Sequence, residues 1–237
     1  MKKAKIWAHR GASGYAPENT LEAFSKAMEM KADGIELDIQ LSKDGEIVVV
    51  HDETLERVSD GYGFVKDHTL SQLKKMNFSK SIPGYGTTRI PTLREVYELV
   101  KQTDITINVE LKTGIFFYEG IIEKAFQLAA KMGVEDNILY SSFNHYTLKE
   151  IKERNPRALT GMLFMDGLLD APLYARKLGV NALHPIYTHL QYPDFLNQCR
   201  ENNLSLNVWT VNTPEEYAYV EAAGVDAVIT NYPDIKN

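Results

Sequence analysis

The sequence predicts an α/β fold, a TIM (β/α)8 barrel that forms one domain over residues 1–237. Short apolar runs alternate with longer segments of helical periodicity, which is the pattern of βα units around a parallel sheet. The length of 237 residues is close to the ~250 that such barrels commonly have. A doubly wound open sheet needs fewer units, and the chain has no G-x-G-x-x-G or G-x-x-x-x-G-K-S/T motif.

Nine segments are predicted to be strands: 5–9, 35–41, 47–51, 105–111, 138–142, 159–164, 181–184, 206–210 and 226–230. Helices are predicted at about 20–31, 92–102, 119–132, 145–154, 171–178, 192–203 and 214–223. The first helix is expected to begin at Asn19, which with Glu22 three residues later resembles a capping box. Nine strands exceed the eight places of the barrel by one.

A hairpin accounts for the extra strand. Asp44-Gly45 lies between two alternating apolar segments, which is a strong signal for a two-residue turn. Residues 39–50 then form a protruding hairpin, and 47–51 is not a barrel strand. With Asp44-Gly45 as the turn, Asp38 lies opposite His51, and opposed residues point to the same face.

Residues 53–90 interrupt the alternation of strands and helices. They are rich in glycine and polar residues, with one short helical piece near 70–76. Loops of this length in a compact domain are usually lids or binding loops. We expect a small insertion after the second barrel strand, acting as a lid within the single domain.

The composition is that of an ordinary globular protein, with 44% apolar and 24% charged residues, which excludes collagen-like and disordered classes. The chain has 26 Lys and Arg against 32 Asp and Glu, a net charge of −6. This charge disfavours nucleic acid and anionic membranes. We expect a small-molecule substrate, no nucleic-acid partner and no stable membrane association, with the oligomeric state left open.

The cysteine content and the N-terminal segment predict a cytoplasmic protein. Cys199 is the only cysteine, which fits a reducing compartment. The lysine-rich start is followed by only a few apolar residues, too few for the apolar segment of a signal peptide. No apolar run approaches the ~20 residues that a membrane-spanning helix needs.

Two predicted barrel strands carry carboxylates on one face. Glu36 and Asp38 alternate with apolar residues in the second strand, and Glu110 shares a face with Lys112 in the next. In a barrel these faces point inward, where unpaired carboxylates are costly. A solvated edge, or a Glu110–Lys112 pair that only stabilises packing, is the alternative. An all-oxygen set favours one divalent ion, Ca²⁺ or Mg²⁺, over zinc.

Histidines and cations are expected at the same mouth. His9-Arg10-Gly11 closes the first strand, at the end where barrel active sites lie, and the hairpin adds His51. Two imidazoles with Arg10 and Lys112 favour acid–base chemistry on a phosphate. Trp209, at the end of a later strand, fits two interpretations, a pocket wall or a core side chain.

Six motifs carry a family resemblance: His9-Arg10-Gly11, Pro17-Glu18-Asn19-Thr20, Glu36-Leu37-Asp38, His51-Asp52, Glu110-Leu111-Lys112 and Asn207-Val208-Trp209-Thr210. In this order they resemble the glycerophosphodiester phosphodiesterases, and the chain is similar to the compact bacterial cytosolic type along its entire length. The resemblance implies a TIM barrel of the phosphodiesterase type, with an insertion after the second strand. It also implies hydrolysis of glycerophosphodiesters to an alcohol and sn-glycerol 3-phosphate.

The resemblance assigns roles to the matching positions. It implies that Glu36, Asp38 and Glu110 bind the divalent metal ion. His9 and His51 match the acid–base pair, Arg10 and Lys112 the phosphate contacts, and Glu18 a residue that supports the phosphate or the metal. Many relatives carry Asp at the position of Asn231, and we expect this departure to change a supporting contact without loss of activity.

Two other functions remain open from the residues alone. A non-catalytic barrel that binds phosphate or a polyol would require a lost catalytic group, and none is apparent. A metal-dependent isomerase or lyase that stabilises an enolate would use Lys112 as its base. Only the paired histidines and Arg10 favour phosphate chemistry over the enolate chemistry of an isomerase or lyase.

Overall fold

The computed structural model describes residues 3–236, so Met1–Lys2 and Asn237, the two ends of the predicted domain, lie outside the described residues. The strands are β1 (Lys5–His9), β2 (Gly34–Leu41), β3 (Ile47–Val49), β4 (Thr106–Leu111), β5 (Ile138–Ser142), β6 (Leu159–Phe164), β7 (Ala182–Pro185), β8 (Ser205–Val208) and β9 (Ala227–Thr230). The helices are α1 (Leu21–Glu29), α2 (Leu70–Leu73), α3 (Leu93–Val100), α4 (Ile121–Met132), α5 (His145–Arg154), α6 (Ala171–Leu178), α7 (Phe195–Glu201) and α8 (Pro214–Ala223).

Eight parallel strands close into a barrel, which confirms the predicted fold class. Their order around the barrel is β1-β2-β4-β5-β6-β7-β8-β9, and β9 pairs back with β1. Helices lie between successive barrel strands along the chain. Among the described residues, no helix is both long and apolar enough to cross a membrane.

The ninth strand, β3, pairs antiparallel with β2 outside the barrel, as the hairpin prediction requires. The predicted register is wrong by one residue, because Ile39 pairs with Val49 and His51 does not oppose Asp38. The loop has three residues: the amide of Ser42 donates to the Glu46 carbonyl, and Gly45 has a φ of +79°. A third loop residue in the left-handed region shifts every opposed pair by one.

The insertion 53–90 has a small apolar core of its own. This core joins the insertion to the hairpin and consists of Val48, Val50, Leu55, Val58, Val65, Leu73, Phe78 and Ile90. All of these side chains are buried. The segment is therefore packed against the hairpin, and its action as a lid stays a prediction.

The main core lies between the outward faces of the strands and the helices. Ile35, Leu37 and Ile39 of β2 are fully buried in one cluster with Phe24 of α1 and Tyr97 of α3. The alternate residues of the same strand point into the barrel. This period of two places apolar and carboxylate side chains on opposite faces of one strand.

The barrel interior contains a fully buried histidine, His184 of β7. Asn207 donates from Nδ2 to its Nε2 at 2.9 Å. Gly161 makes room for the ring, because a Cβ at that position would lie 2.3 Å from Nε2. Burial lowers the pKa of His184 from 6.5 to about 3, so the folded protein holds it neutral.

We expect His184 to make the protein acid-sensitive. Between pH 6.5 and about 3 the unfolded state binds a proton that the folded state does not, so stability falls as the pH falls. Between pH 7 and pH 5 this amounts to about 2 kcal/mol. Urea unfolding of wild type and His184→Gln at both pH values measures it. The other titratable groups contribute equally to both proteins. Equal pH dependence of the unfolding free energy in the two proteins would therefore contradict the expectation.

Candidate active site

The three predicted carboxylates converge at the mouth of the barrel. Glu36 and Asp38 lie on β2, and Glu110 is the direct neighbour of Asp38 on β4. Each offers an oxygen atom, and these oxygens all lie within 4.8 Å of one another. All three residues are buried. Such crowding of negative charge in a buried site demands a positive partner.

Electrostatics reflect this crowding. Burial, with the neighbouring charge of Asp38, raises the pKa of both Glu36 and Glu110. Burial alone would also raise the pKa of Asp38, but the charges of His51, Arg10 and Lys112 lower it. A cation between the carboxylates would offset this mutual repulsion.

The donor set fits a hard divalent cation. Within residues 3–236, the buried Oδ1 of Asp38 has no hydrogen-bond partner, while Asn19 donates to Oδ2 at 2.8 Å. One carboxylate oxygen is thus fixed by the protein and the other is free to bind an ion. Three carboxylates without cysteine or a histidine cluster suit Ca²⁺ or Mg²⁺. Glu36, Asp38 and Glu110 would hold it.

The turn after β1 presents Arg10 to this triad. Arg10 and Gly11 have φ values of +56° and +80°. A Cβ at Gly11 would lie 2.6 Å from the carbonyl carbon of Ala23, so only glycine allows this approach. The turn directs the amide of Arg10 at Glu36 Oε2, 3.0 Å away. The guanidinium of Arg10 donates to Glu18 Oε1 at 2.8 Å.

Asn19 belongs to the site and does not cap the first helix. Thr20 is the cap of α1, and its hydroxyl accepts from the amide of Ala23. Asn19 has a φ of +57° and directs its amide to Asp38. The predicted start is therefore wrong by one residue, because a buried carboxylate competes for the Asn19 side chain.

His9 is oriented by Asn231. Its Nδ1 lies 2.7 Å from Asn231 Oδ1, which is an acceptor, so Nδ1 carries the proton and Nε2 keeps its lone pair. The hydroxyl of Ser13 lies 3.0 Å from the same oxygen. Burial, and then the charge of Arg10, lower the pKa of His9 to about 4. Asn231, where we expect a departure from the family pattern, therefore contacts a candidate catalytic residue directly.

His51 reaches the site from the end of the hairpin, despite the shifted register. Its Nδ1 donates to Asp52 Oδ1 at 2.6 Å, and its Nε2 lies 3.2 Å from Lys112 Nζ. Lys112 Nζ also lies 3.0 Å from Glu110 Oε1. The charges of Glu110 and Asp38 overcome the effect of burial and raise the pKa of Lys112. Lys112 thus connects His51 to the triad.

A cavity of about 460 Å³ opens between these groups. Its polar side is lined by His9, Arg10, Glu36, His51, Asn108, Glu110 and Lys112. Its apolar side is lined by Phe143, Leu163, Met165, Trp209 and Ile229. Trp209 is therefore part of the pocket wall, and its indole donates to the His184 carbonyl at 2.6 Å. Glu18 is not among the described residues that line the cavity, and it is connected to the cavity by its hydrogen bond with Arg10.

Sequence reasoning left several residues of this site without a role. In the sequence, Asp52 stands out only as the neighbour of His51, and Asn108 only as a polar residue that shares a strand face with Glu110. Arg57 of the insertion, which contacts Glu18 and Asp52, had no signal in the sequence. The apolar wall comes from the ends of strands that looked like ordinary core segments.

The fold and the site together define a class. A buried carboxylate triad at the mouth of a (β/α)8 barrel, flanked by two histidines and two cationic side chains, is typical of a metal-assisted hydrolase acting on a phosphate ester. Comparison with known proteins assigns the family. The model of the glycerophosphoryl diester phosphodiesterase family matches residues 9–235. The chain belongs to this family and is an enzyme of its phosphodiesterase class.

Relatives cover almost the whole chain. A glycerophosphodiester phosphodiesterase of Caldanaerobacter subterraneus subsp. tengcongensis is 42% identical, over 98% of this chain and 96% of that protein. A phosphodiesterase of Oleispira antarctica, solved in complex with the product sn-glycerol-3-phosphate, is 28% identical with a TM-score of 0.88, over 99% and 96% of the two chains. The Thermotoga maritima glycerophosphodiester phosphodiesterase is 31% identical with a TM-score of 0.80, over 100% and 98%.

Proposed function

We propose that this protein hydrolyses glycerophosphodiesters to an alcohol and sn-glycerol 3-phosphate, using His9 and His51 and one divalent ion, Ca²⁺ or Mg²⁺. The observation that carries the proposal is one cavity lined by both histidines, Arg10, Lys112 and two carboxylates of the triad. The third carboxylate, Asp38, has an oxygen within 4.8 Å of theirs. The bound product in the Oleispira antarctica relative supports this substrate class. A divalent ion at the triad would offset the negative charge of the phosphate.

The surroundings of the two histidines favour different roles. Asn231 is uncharged, and burial keeps His9 neutral, so its Nε2 is suited to accept a proton. His51 instead donates from Nδ1 to the carboxylate of Asp52, which fixes its ring beside a negative charge. We assign His9 as the general base and His51 as the general acid of the first step.

The nucleophile in this proposal is the 2-hydroxyl of the glycerol moiety. This hydroxyl is already tethered beside the phosphorus, and good intramolecular alignment is worth roughly 7–11 kcal/mol. His9 takes its proton as the new O–P bond forms. The bond from phosphorus to the alcohol breaks, and His51 protonates the alcohol. Water then opens the cyclic glycerol phosphate with the two roles reversed.

The first test is release of sn-glycerol 3-phosphate from glycerophosphocholine, measured with a coupled dehydrogenase in the presence of Ca²⁺ or Mg²⁺. We expect steady multiple turnover. Tight binding of glycerophosphocholine without any product would instead favour a non-catalytic barrel that binds phosphate or a polyol.

A 2-deoxy analogue of the substrate tests the nucleophile. We expect it to bind with similar affinity and to react far more slowly, because the tethered hydroxyl is absent. A cyclic phosphate should be trapped from the normal substrate in a single-turnover quench. Equal kcat for both substrates and no cyclic species would favour direct attack by water.

The setting of this activity follows from the sequence. We propose a cytoplasmic enzyme that acts on small soluble diesters, with no nucleic-acid partner and no stable membrane association. The net charge of −6 supports this, because it repels polyanions at long range. Arg10 and Lys112 give the cavity a local positive centre for one small anion.

A further inference from the structure

Arg57, in the insertion 53–90, bridges two carboxylates with its guanidinium. Nη1 and Nη2 donate to Glu18 at 2.7 and 2.8 Å. Nε and Nη2 donate to Asp52 at 2.5 and 2.9 Å. Both contacts are bidentate, so the planar guanidinium fixes the distance and angle between the two carboxylates. Such geometry distinguishes this contact from an ordinary surface ion pair.

Each of these carboxylates also holds a residue of the candidate active site. Glu18 Oε1 accepts from Arg10 as well as from Arg57. Asp52 Oδ1 likewise accepts from His51 Nδ1 and from Arg57. A continuous chain of charge-assisted hydrogen bonds therefore joins Arg10 to His51, and Arg57 is its central link.

Charge supports the same connection. Burial would raise the pKa of Glu18 and of Asp52, but hydrogen bonds with the neighbouring cationic and imidazole groups lower both. Arg57 donates hydrogen bonds that lower the pKa of both carboxylates. Its side chain is 45% exposed, so the two carboxylates and not burial keep it in place.

We propose that Arg57 is a positioning residue that sets the placement of Arg10 and the orientation and tautomer of the His51 ring. The inference rests on the proposed function, in which Arg10 contacts the phosphate and His51 transfers a proton. Arg57 does not line the substrate cavity within the described part of the chain. It acts through Glu18 and Asp52, and it makes the insertion a support of the active site.

Arg57→Ala is expected to lower kcat by about 10–100-fold, the usual loss when an outer hydrogen-bond partner of a site is removed, with a smaller change in KM. Arg57→Lys should recover little of this, because one ammonium cannot make both bidentate contacts. Since the position is partly exposed, methylguanidinium at millimolar concentration should restore part of the kcat of Arg57→Ala. Ammonium and urea should not.

Arg89→Ala is the matched control. Arg89 is also an exposed arginine of the insertion, but its guanidinium donates to the backbone carbonyls of Lys75 and Met76. We expect wild-type kcat and no response to methylguanidinium. Wild-type kcat in Arg57→Ala would overturn the proposal. A response of Arg57→Ala to methylguanidinium no larger than that of Arg89→Ala would overturn it as well. If Arg57→Ala does not fold, Arg57→Lys decides: wild-type kcat overturns the proposal, and a tenfold loss with an unchanged melting temperature supports it.

A readout independent of turnover separates this inference from the proposed function. Side-chain ¹⁵N shifts of His51 should report a proton on Nδ1 in wild type and in Arg89→Ala. In the Arg57 variant we expect a mixture of tautomers. If wild type releases no product, the proposed function fails. Unchanged ¹⁵N shifts of His51 in the Arg57 variant would overturn the positioning role, whether or not the proposed function holds.

Discussion

Replacement of His9 by alanine is expected to lower kcat by at least about 10²-fold, and by up to about 10⁴-fold, while the barrel stays folded. His9 closes β1, and its Nε2 lone pair is available because Asn231 accepts the Nδ1 proton. Alanine removes the group that takes the proton of the attacking hydroxyl in the proposed mechanism. Initial rates with glycerophosphocholine measure the loss, and circular dichroism checks the fold.

His51→Ala is expected to cost a similar factor, because it removes the proton donor that Asp52 orients. If the two histidines act as one unit, the double variant loses little more than either single variant. His68→Ala is the matched control: His68 lies in the insertion, and its ring Nδ1 lies 2.9 Å from the Phe64 carbonyl oxygen. A histidine variant that keeps near-wild-type kcat would remove that residue from the mechanism.

Removal of divalent metal is expected to abolish activity. Three buried carboxylates face each other. Among residues 3–236 their ion pairs are those of Lys112 with Glu110 and of Arg10 with Asp38, which leaves one negative charge in excess. Dialysis against EDTA should eliminate turnover, and Ca²⁺ or Mg²⁺ should restore it. Chelation by EGTA, which prefers Ca²⁺, distinguishes the two ions. Full activity after exhaustive chelation would contradict the metal assignment.

Thermal melting gives a second measure of the same site. An ion that binds only the folded state stabilises it by about 2.7 kcal/mol at a concentration of 100 Kd. Asp38→Asn should weaken this response, because a neutral amide attracts the ion less than a carboxylate does. Asp67→Asn, an exposed carboxylate of the insertion, should respond as wild type does. Equal responses in both variants would place the metal elsewhere.

Much of this site could be predicted because strand periodicity is a local property. The alternation in β2 and β4 places Glu36, Asp38 and Glu110 on the inner face, whatever the details of packing. Closure of the barrel then brings the two strands together in register. Composition, length and the strand–helix rhythm were enough to predict the barrel, and the motif order was enough to indicate the family.

What could not be predicted depends on loops and on contacts between distant residues. The hairpin register depends on one extra loop residue at Gly45, and the dipeptide Asp44-Gly45 does not reveal that residue. Asn19 looked like a helix cap, because its bond with Asp38 exists only after the first turn packs against β2.

The sequence by itself determined the fold class, the family and the chemical character of the site, because these follow from local patterns and from residue types. Only the tertiary structure decided how the site is held. The bond from Asn231 to His9 spans 222 positions, and that from Arg57 to Glu18 spans 39. Such partners are chosen by barrel closure and by packing of the insertion, and no pattern along the chain encodes their distance in space.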